Sequence, residues 1–151
     1  MGLCPVEYCS ASPEETEALG ERLASRLEPG SVIALRGGLG AGKTCLTKGI
    51  ARGLGITENI TSPTYTIVSE YWANKDGRDV LLYHIDAYRL NGDEDFESTG
   101  AGDLTGCGGI TIIEWSERIP ASIPPDAIII EIAITGPQNR IFRITNEPTC
   151  H

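Results

Sequence analysis

The apolar run Val32-Ile33-Ala34-Leu35 passes almost directly into Gly37-Gly38-Leu39-Gly40-Ala41-Gly42-Lys43-Thr44, and nothing else in the chain restricts its fold as much. Four apolar residues without alternation read as a strand buried on both faces, the setting of a parallel strand in a covered sheet. Residues 37–44 satisfy G-x-x-x-x-G-K-[ST], whose glycines let successive N–H groups turn inward around an anion. A helix N-terminus then adds its partial positive charge. The pattern predicts that helix from Lys43 to about Leu54, with Leu46, Ile50 and Leu54 on its inner face. Gly49 and Gly53 lower its helix propensity, which points to close packing against a neighbour. Strand before and helix after are the context in which this motif binds phosphate. Lys43 can then bridge β- and γ-phosphate oxygens, and the Thr44 hydroxyl can ligate Mg²⁺.

Charge decides how such an anion site must work. The chain has 151 residues, with 12 Lys and Arg against 21 Asp and Glu, for a net charge of −9. That balance argues against a protein that coats phosphate backbones with a basic face, and against an anionic membrane surface as partner. A bound anion must be attracted by a local backbone device. The length suits one domain with a hydrophobic core, and no repeat, linker or low-complexity tract divides residues 1–151. Five cysteines (Cys4, Cys9, Cys45, Cys107, Cys150) are odd in number and show no metal-ligand spacing, so unpaired thiols are expected. The N-terminal residues lack a basic region and a long apolar run. A cytoplasmic protein is the expectation.

Further elements follow from periodicity. Pro5 to Cys9 reads as a short strand. Ser12-Pro13-Glu14-Glu15 is a helix start, with Ser as N-cap, Pro at the first position and Glu three after the cap. Leu19, Leu23 and Leu27 continue its inner face, and Pro29-Gly30 is read as its end. Thr66 to Trp72 and Val80 to Ile85 read as strands joined by a hairpin at Asp76-Gly77. A polar, acidic stretch, Asn91 to Glu97, and a glycine-rich segment precede another buried run, Ile110 to Ile113. Ala127 to Thr135 and Arg140 to Thr145 complete the strands. The fold class is α/β, a mixed central sheet flanked by helices.

A metal-bound nucleotide needs a carboxylate at the C-terminal end of a neighbouring strand, and two runs supply one: Asp86 after Val80–Ile85 and Glu114 after Ile110–Ile113. In a parallel sheet both ends point to the edge where the phosphate loop sits. One acid could hold Mg²⁺ while the other orients water, and spacing does not assign the roles. Two GTPase-like patterns fail. Asn74-Lys75-Asp76-Gly77 has Gly where the guanine-reading acid belongs, and no apolar strand precedes Asp103-Leu104-Thr105-Gly106. Adenine is therefore preferred. His84, on an apolar strand, reads as a hydrogen-bonded structural histidine rather than an acid–base group.

Together the phosphate loop, Ser62-Pro63-Thr64-Tyr65-Thr66, His84-Ile85-Asp86-Ala87-Tyr88-Arg89-Leu90 and Glu114-Trp115 resemble the bacterial TsaE family over roughly residues 12–120. That family supports threonylcarbamoyladenosine formation on tRNA. The resemblance implies a P-loop NTPase fold and weak ATP hydrolysis with Mg²⁺. It also implies action alongside a threonylcarbamoyl transferase and its inactive paralogue. By position it makes Thr44 and Glu114 the magnesium ligands, with Asp86 as metal support or water-orienting group. Thr64, in a switch over Ser62 to Thr66, would sense the γ-phosphate and complete a catalytic set with Lys43, Asp86 and Glu114.

The nucleotide-binding positions would be Gly38, Leu39, Gly40, Ala41, Gly42, Lys43, Thr44 and Cys45, with Trp115 near the nucleotide. Pro13, in the segment Ser12 to Glu15, would approach adenine, and Arg140 matches a basic residue on a late strand. Tyr88 and Arg89 face a partner, or Arg89 pairs with acids in Asp93 to Glu97. Two departures stand out: Cys45 directly after Thr44, and a richly glycine Gly100 to Gly109. Acidity argues against direct contact with tRNA, so that link would run through protein partners. The competing function is a small-molecule or nucleotide kinase, which would need a basic lid that no Arg-rich segment supplies. A third is a nucleotide-gated interaction module without catalysis.

Overall fold

The two unbroken apolar runs lie side by side at the centre of a seven-stranded sheet. The computed structural model describes residues 5–37, 42–58, 60, 68–105 and 108–147. Its strands are β1 (Val6–Ser10), β2 (Val32–Arg36), β3 (Val68–Lys75), β4 (Arg78–Asp86), β5 (Ile110–Glu114), β6 (Ile128–Ile134) and β7 (Arg140–Thr145), in the order β1-β7-β6-β2-β5-β4-β3. The inner four, β6, β2, β5 and β4, run parallel; β3 adds antiparallel on one side, and β7 and then β1 add antiparallel on the other. Both β2 and β5 are inaccessible along nearly their whole length, as parallel strands covered on two faces must be. The sheet is mixed and flanked by helices, as the sequence predicts.

On one face lie α1 (Pro13–Ala24) and α2 (Lys43–Gly53). Leu19, Leu23, Leu46, Ile50 and Leu54 pack there against Ile33, Leu35, Leu82, Ile110 and Ile112. Ser12 caps α1 by accepting from the Glu15 N–H at 3.1 Å, and the Glu15 carboxylate accepts from the Ala11 N–H at 2.7 Å. The predicted end at Pro29-Gly30 is too late. The helix stops at Ala24, where the Ser25 hydroxyl donates to the Arg22 carbonyl. The N–H groups of Arg26 and Leu27 then donate three residues back, and this tighter turn delivers Leu27 fully buried from outside the helix.

Glycine explains how closely the two helices meet. A Cβ on Gly49 would stand 2.2 Å from the Glu17 carbonyl oxygen, one on Gly20 2.6 Å from that of Leu46, and one on Gly53 2.6 Å from the Ala24 Cβ. Backbone therefore touches backbone, which fixes how α2 lies on the sheet. The packing expected from Gly49 and Gly53 is present, with Gly20 as its counterpart on α1.

The opposite face holds Val32, Ile85 and Ile113 under Phe96, Ile119 and Ala127. Phe96 belongs to α3 (Asp93–Thr99), a helix within the stretch read only as polar and acidic. Its single buried anchor gives no periodicity to read. It forms because Asp93, Glu94 and Asp95 lie in its first turn, where the dipole favours negative charge, and Gly100 ends it at φ 75°. Past the hairpin, Asp76 and Gly77 take φ 53° and 83°, and the ladder runs on to Lys75–Arg78, beyond the predicted end at Trp72. Residues 66 and 67 of that predicted strand lie outside the described residues. In the glycine-rich segment Gly109 lies against β4, where a Cβ would stand 2.8 Å from the Leu81 carbonyl oxygen.

Two outcomes follow from this packing. Gly49→Ala is expected to destabilise by about 1–3 kcal/mol through overpacking, outweighing a helix-propensity gain of about 1 kcal/mol. The check is the urea midpoint; no change would mean the helices can part. Tyr8 donates to the Glu147 carboxylate, which also accepts from Arg26 at 2.9 Å. The bond to Glu147, burial and the Glu147 charge raise the tyrosine pKa above 10.0. Its contribution is therefore complete below pH 10 and lost as pH rises through the raised value. Alkaline titration of stability should show that loss in the wild type and not in Tyr8→Phe.

Candidate functional site

Chain direction assembles the site. β2 ends at Arg36, and α2 begins at Lys43 behind Gly42, whose φ of 101° favours glycine. Gly42 at its N-cap has no side chain to satisfy the first N–H groups, which suits them to a ligand. Gly38, Leu39, Gly40 and Ala41, between these anchors, lie outside the described residues, as does Thr64 with the whole predicted switch Ser62 to Thr66.

β4 and β5 run parallel to β2, so their C-terminal ends reach the same edge, with Asp86 paired directly to Glu114. Both acids follow the pleat of Leu82 and Ile112, on the face covered by α2. Asp86 is half-buried, and its Oδ1 accepts from the Tyr88 N–H at 2.9 Å. Glu114 is buried, with its carboxylate against the imidazole Nε2 of His84. His84 is thus buried and hydrogen-bonded, as its apolar strand suggested.

Lys43 is only 6% exposed, and its ammonium donates to the Gly37 carbonyl at 2.6 Å. Burial lowers its pKa, opposed by the negative charges of Glu117, Glu114 and Asp86. Three carboxylates thus act on one buried cation. The Nζ also lies 3.4 Å from the centroid of the Trp115 ring. Trp115 takes φ 58°, a left-handed conformation rare for a bulky residue. That turn sends Ser116 back to the Leu35 carbonyl (3.1 Å) and brings the Glu117 carboxylate to the Gly37 N–H (3.3 Å). The ring of Tyr88 packs against Trp115, centroids 4.9 Å apart and tilted by 51°, with Arg118 against both.

Glu117 escaped the sequence reading. The one available signal was an acid three residues beyond a strand-end acid, and spacing alone does not show that the chain doubles back. Arg89 is exposed and makes no ion pair among the described residues, so pairing with Asp93 to Glu97 is not observed.

A cleft of about 280 Å³ opens at the α2 start, lined by Pro13, Thr16, Gly42, Cys45, Pro137, Gln138 and Arg140. Four predicted nucleotide-binding positions, Pro13, Gly42, Cys45 and Arg140, meet there from three separate parts of the chain, the starts of α1, α2 and β7. Arg140 is steadied by donating to the carbonyls of Gly136 (3.0 Å) and Asn139 (2.8 Å). Trp115 is not in this cleft; it stands with Lys43 on the acidic side. Thr44, half-buried in the first turn of α2, lies between the two groups in sequence.

A parallel strand ending in a glycine-rich phosphate loop, a helix starting with Lys-Thr, and acids on the next two strands define an α/β protein of P-loop fold. Residues 10–142 match the family model "Threonylcarbamoyl adenosine biosynthesis protein TsaE", and the chain belongs to that family. The match runs past the 12–120 stretch that carries the motifs. The tRNA threonylcarbamoyladenosine biosynthesis protein TsaE of Treponema pallidum is 43% identical over 131 residues, covering 87% of this chain and 93% of that one. The protein of that name from Bacillus subtilis is 39% identical over 141 residues, covering 93% and 85%. A crystal structure of Bacillus subtilis YdiB superposes with a TM-score of 0.79 at 34% identity, covering 97% of this chain and 88% of the other. Among the described residues no helix is long and apolar enough to cross a membrane.

A ligand seated in the cleft must shield Cys45, which is half-buried, while Cys9 is exposed. Adding nucleotide is therefore expected to slow alkylation of Cys45 and leave Cys9 unchanged, as read by peptide mass mapping. Equal protection of neither or both would place the ligand elsewhere.

Proposed function

We propose that this chain is a Mg²⁺-dependent ATPase subunit of the machinery that makes threonylcarbamoyladenosine on tRNA. It acts as a single domain with a threonylcarbamoyl transferase and its paralogue, in the cytoplasm, and meets tRNA only through them. The observation that carries this reading is the convergence of the α2 start, Lys43, Asp86 and Glu114 on one edge of the sheet.

The donor set fits a small hard cation. Two carboxylates at paired strand ends and one hydroxyl in the first turn of α2 are oxygen ligands of the kind Mg²⁺ takes together with substrate phosphates. Thr44 and Glu114 would hold the ion, with Asp86 supporting it or orienting water. When bound, Mg²⁺ supplies neutralisation of charge on the β- and γ-phosphates.

The chain's own residues do the rest. N–H groups of Gly42 to Cys45 face the phosphates from an uncapped helix start. Lys43 leaves the Gly37 carbonyl for the phosphate oxygens, and burial strengthens that interaction by excluding water. The base enters the cleft between Pro13 and Arg140. Thr64, on the segment that follows α2, senses the γ-phosphate. A chain of net charge −9 gains nothing from its overall field in this task, so affinity must come from these few groups.

Lys43→Ala is expected to abolish nucleotide binding or hydrolysis. Asp86→Ala and Glu114→Ala should spare most phosphate-loop contact and suppress Mg²⁺-dependent turnover. Labelled ATP should yield free phosphate, slowly alone and faster with the transferase and its paralogue. A phosphorylated metabolite as product would favour a kinase, and a fast rate independent of partners would overturn the proposal. Wild-type hydrolysis in Asp86→Ala would remove that residue from the site.

A further inference from the structure

We propose that His84 is a positioning residue that holds the Glu114 carboxylate in its working orientation. The argument begins with burial. His84 is fully buried and the Glu114 side chain is 4% exposed, so neither can turn to solvent for a partner. A buried carboxylate without a hydrogen bond is costly, and His84 Nε2 touches Glu114 Oε2.

The other ring nitrogen identifies the donor. Nδ1 of His84 is buried and has no hydrogen-bond partner among the described residues. With the proton on Nδ1, a donor would be stranded and the Nε2 lone pair would face a carboxylate oxygen, acceptor against acceptor. With the proton on Nε2, one good bond forms and only a lone pair is left over. The imidazole therefore donates to Oε2. That bond fixes the rotation of the carboxylate and leaves Oε1 to act at the sheet edge.

Register makes this possible. Asp86 pairs with Glu114 and His84 with Ile112, so on one face of β4 the acid sits at the edge and the imidazole one pleat below. The strand thus supplies one acid itself and fixes the acid of its neighbour. Asp86 is held differently, by the Tyr88 N–H. Acids that hold metal commonly need such outer partners, whose loss costs about 10–100-fold in metal affinity or activity.

The proposal rests on Glu114 acting in ATP hydrolysis, and the test separates the two. His84→Leu should lower turnover about 10–100-fold while leaving the nucleotide Kd unchanged. His84→Gln, whose amide nitrogen reaches close to the Nε2 position, should recover most of it. Thermal melts confirm that each variant is folded. Wild-type turnover in folded His84→Leu, equal impairment of Leu and Gln variants, or a Kd that weakens as much as turnover falls would overturn it.

The chain has two histidines, His84 and His151. ¹⁵N ring spectra of the wild type, assigned with His151→Asn, are expected to show a proton on Nε2 of His84 whose signal shifts in Glu114→Gln. An unprotonated Nε2 would refute the proposal whether or not any variant folds. If wild-type protein hydrolyses no ATP while this proton is present, the functional reading fails and the His84–Glu114 bond stands.

Discussion

Parallel pairing of β2, β5 and β4 in one register underlies every other arrangement in this protein. Val32 pairs with Thr111 and Leu82 with Ile110, so three strand ends reach one edge together. Parallel strands need both faces covered, and the chain meets that need with α1 and α2 on one side and the Phe96 segment on the other. The helix that covers the first face is also the one that presents Lys43. Glycine-mediated contact between α1 and α2 then sets where its N-terminus lies above Asp86 and Glu114.

Electrostatics at that edge turn on one buried cation among three acids. Glu117, Glu114 and Asp86 act on Lys43, burial works against its charge, and the ammonium rests between the Gly37 carbonyl and the Trp115 ring. The left-handed turn at Trp115 carries much of this: one strained residue returns Ser116 to β2, Glu117 to Gly37 and an aromatic face to Lys43. Lys43 is thus held in place by its own neighbours, in a chain whose net charge of −9 repels anions.

Legibility in the sequence followed the strength of local signals. The capped start of α1, the strand and helix that flank the glycine motif, and the Asp76-Gly77 hairpin each rest on chemistry within a few residues, and each is present. Asp86 and Glu114 were readable as strand-end acids because parallel topology leaves such ends one place to go. The end of α1 was placed late because Leu27 keeps helical spacing while the chain leaves the helix through a tighter turn. α3 went unread because one buried phenylalanine among acids has no period. Glu117 and the His84–Glu114 pair were invisible for a different reason, since both depend on elements far apart in sequence.

By itself, the sequence determined the class of fold, the glycine-rich motif that ends in Lys43 and Thr44, and the two strand-end acids. Local composition dictates a buried strand, a glycine turn and a helix start wherever they occur. Only tertiary structure decided that Pro13, Cys45 and Arg140 line one cleft, that Trp115 stands apart from it over Lys43, and that His84 grips Glu114. Those relations are set by strand order and by how closely two helices approach. Both are properties of packing, in which residues dozens of positions apart become neighbours by excluding water together.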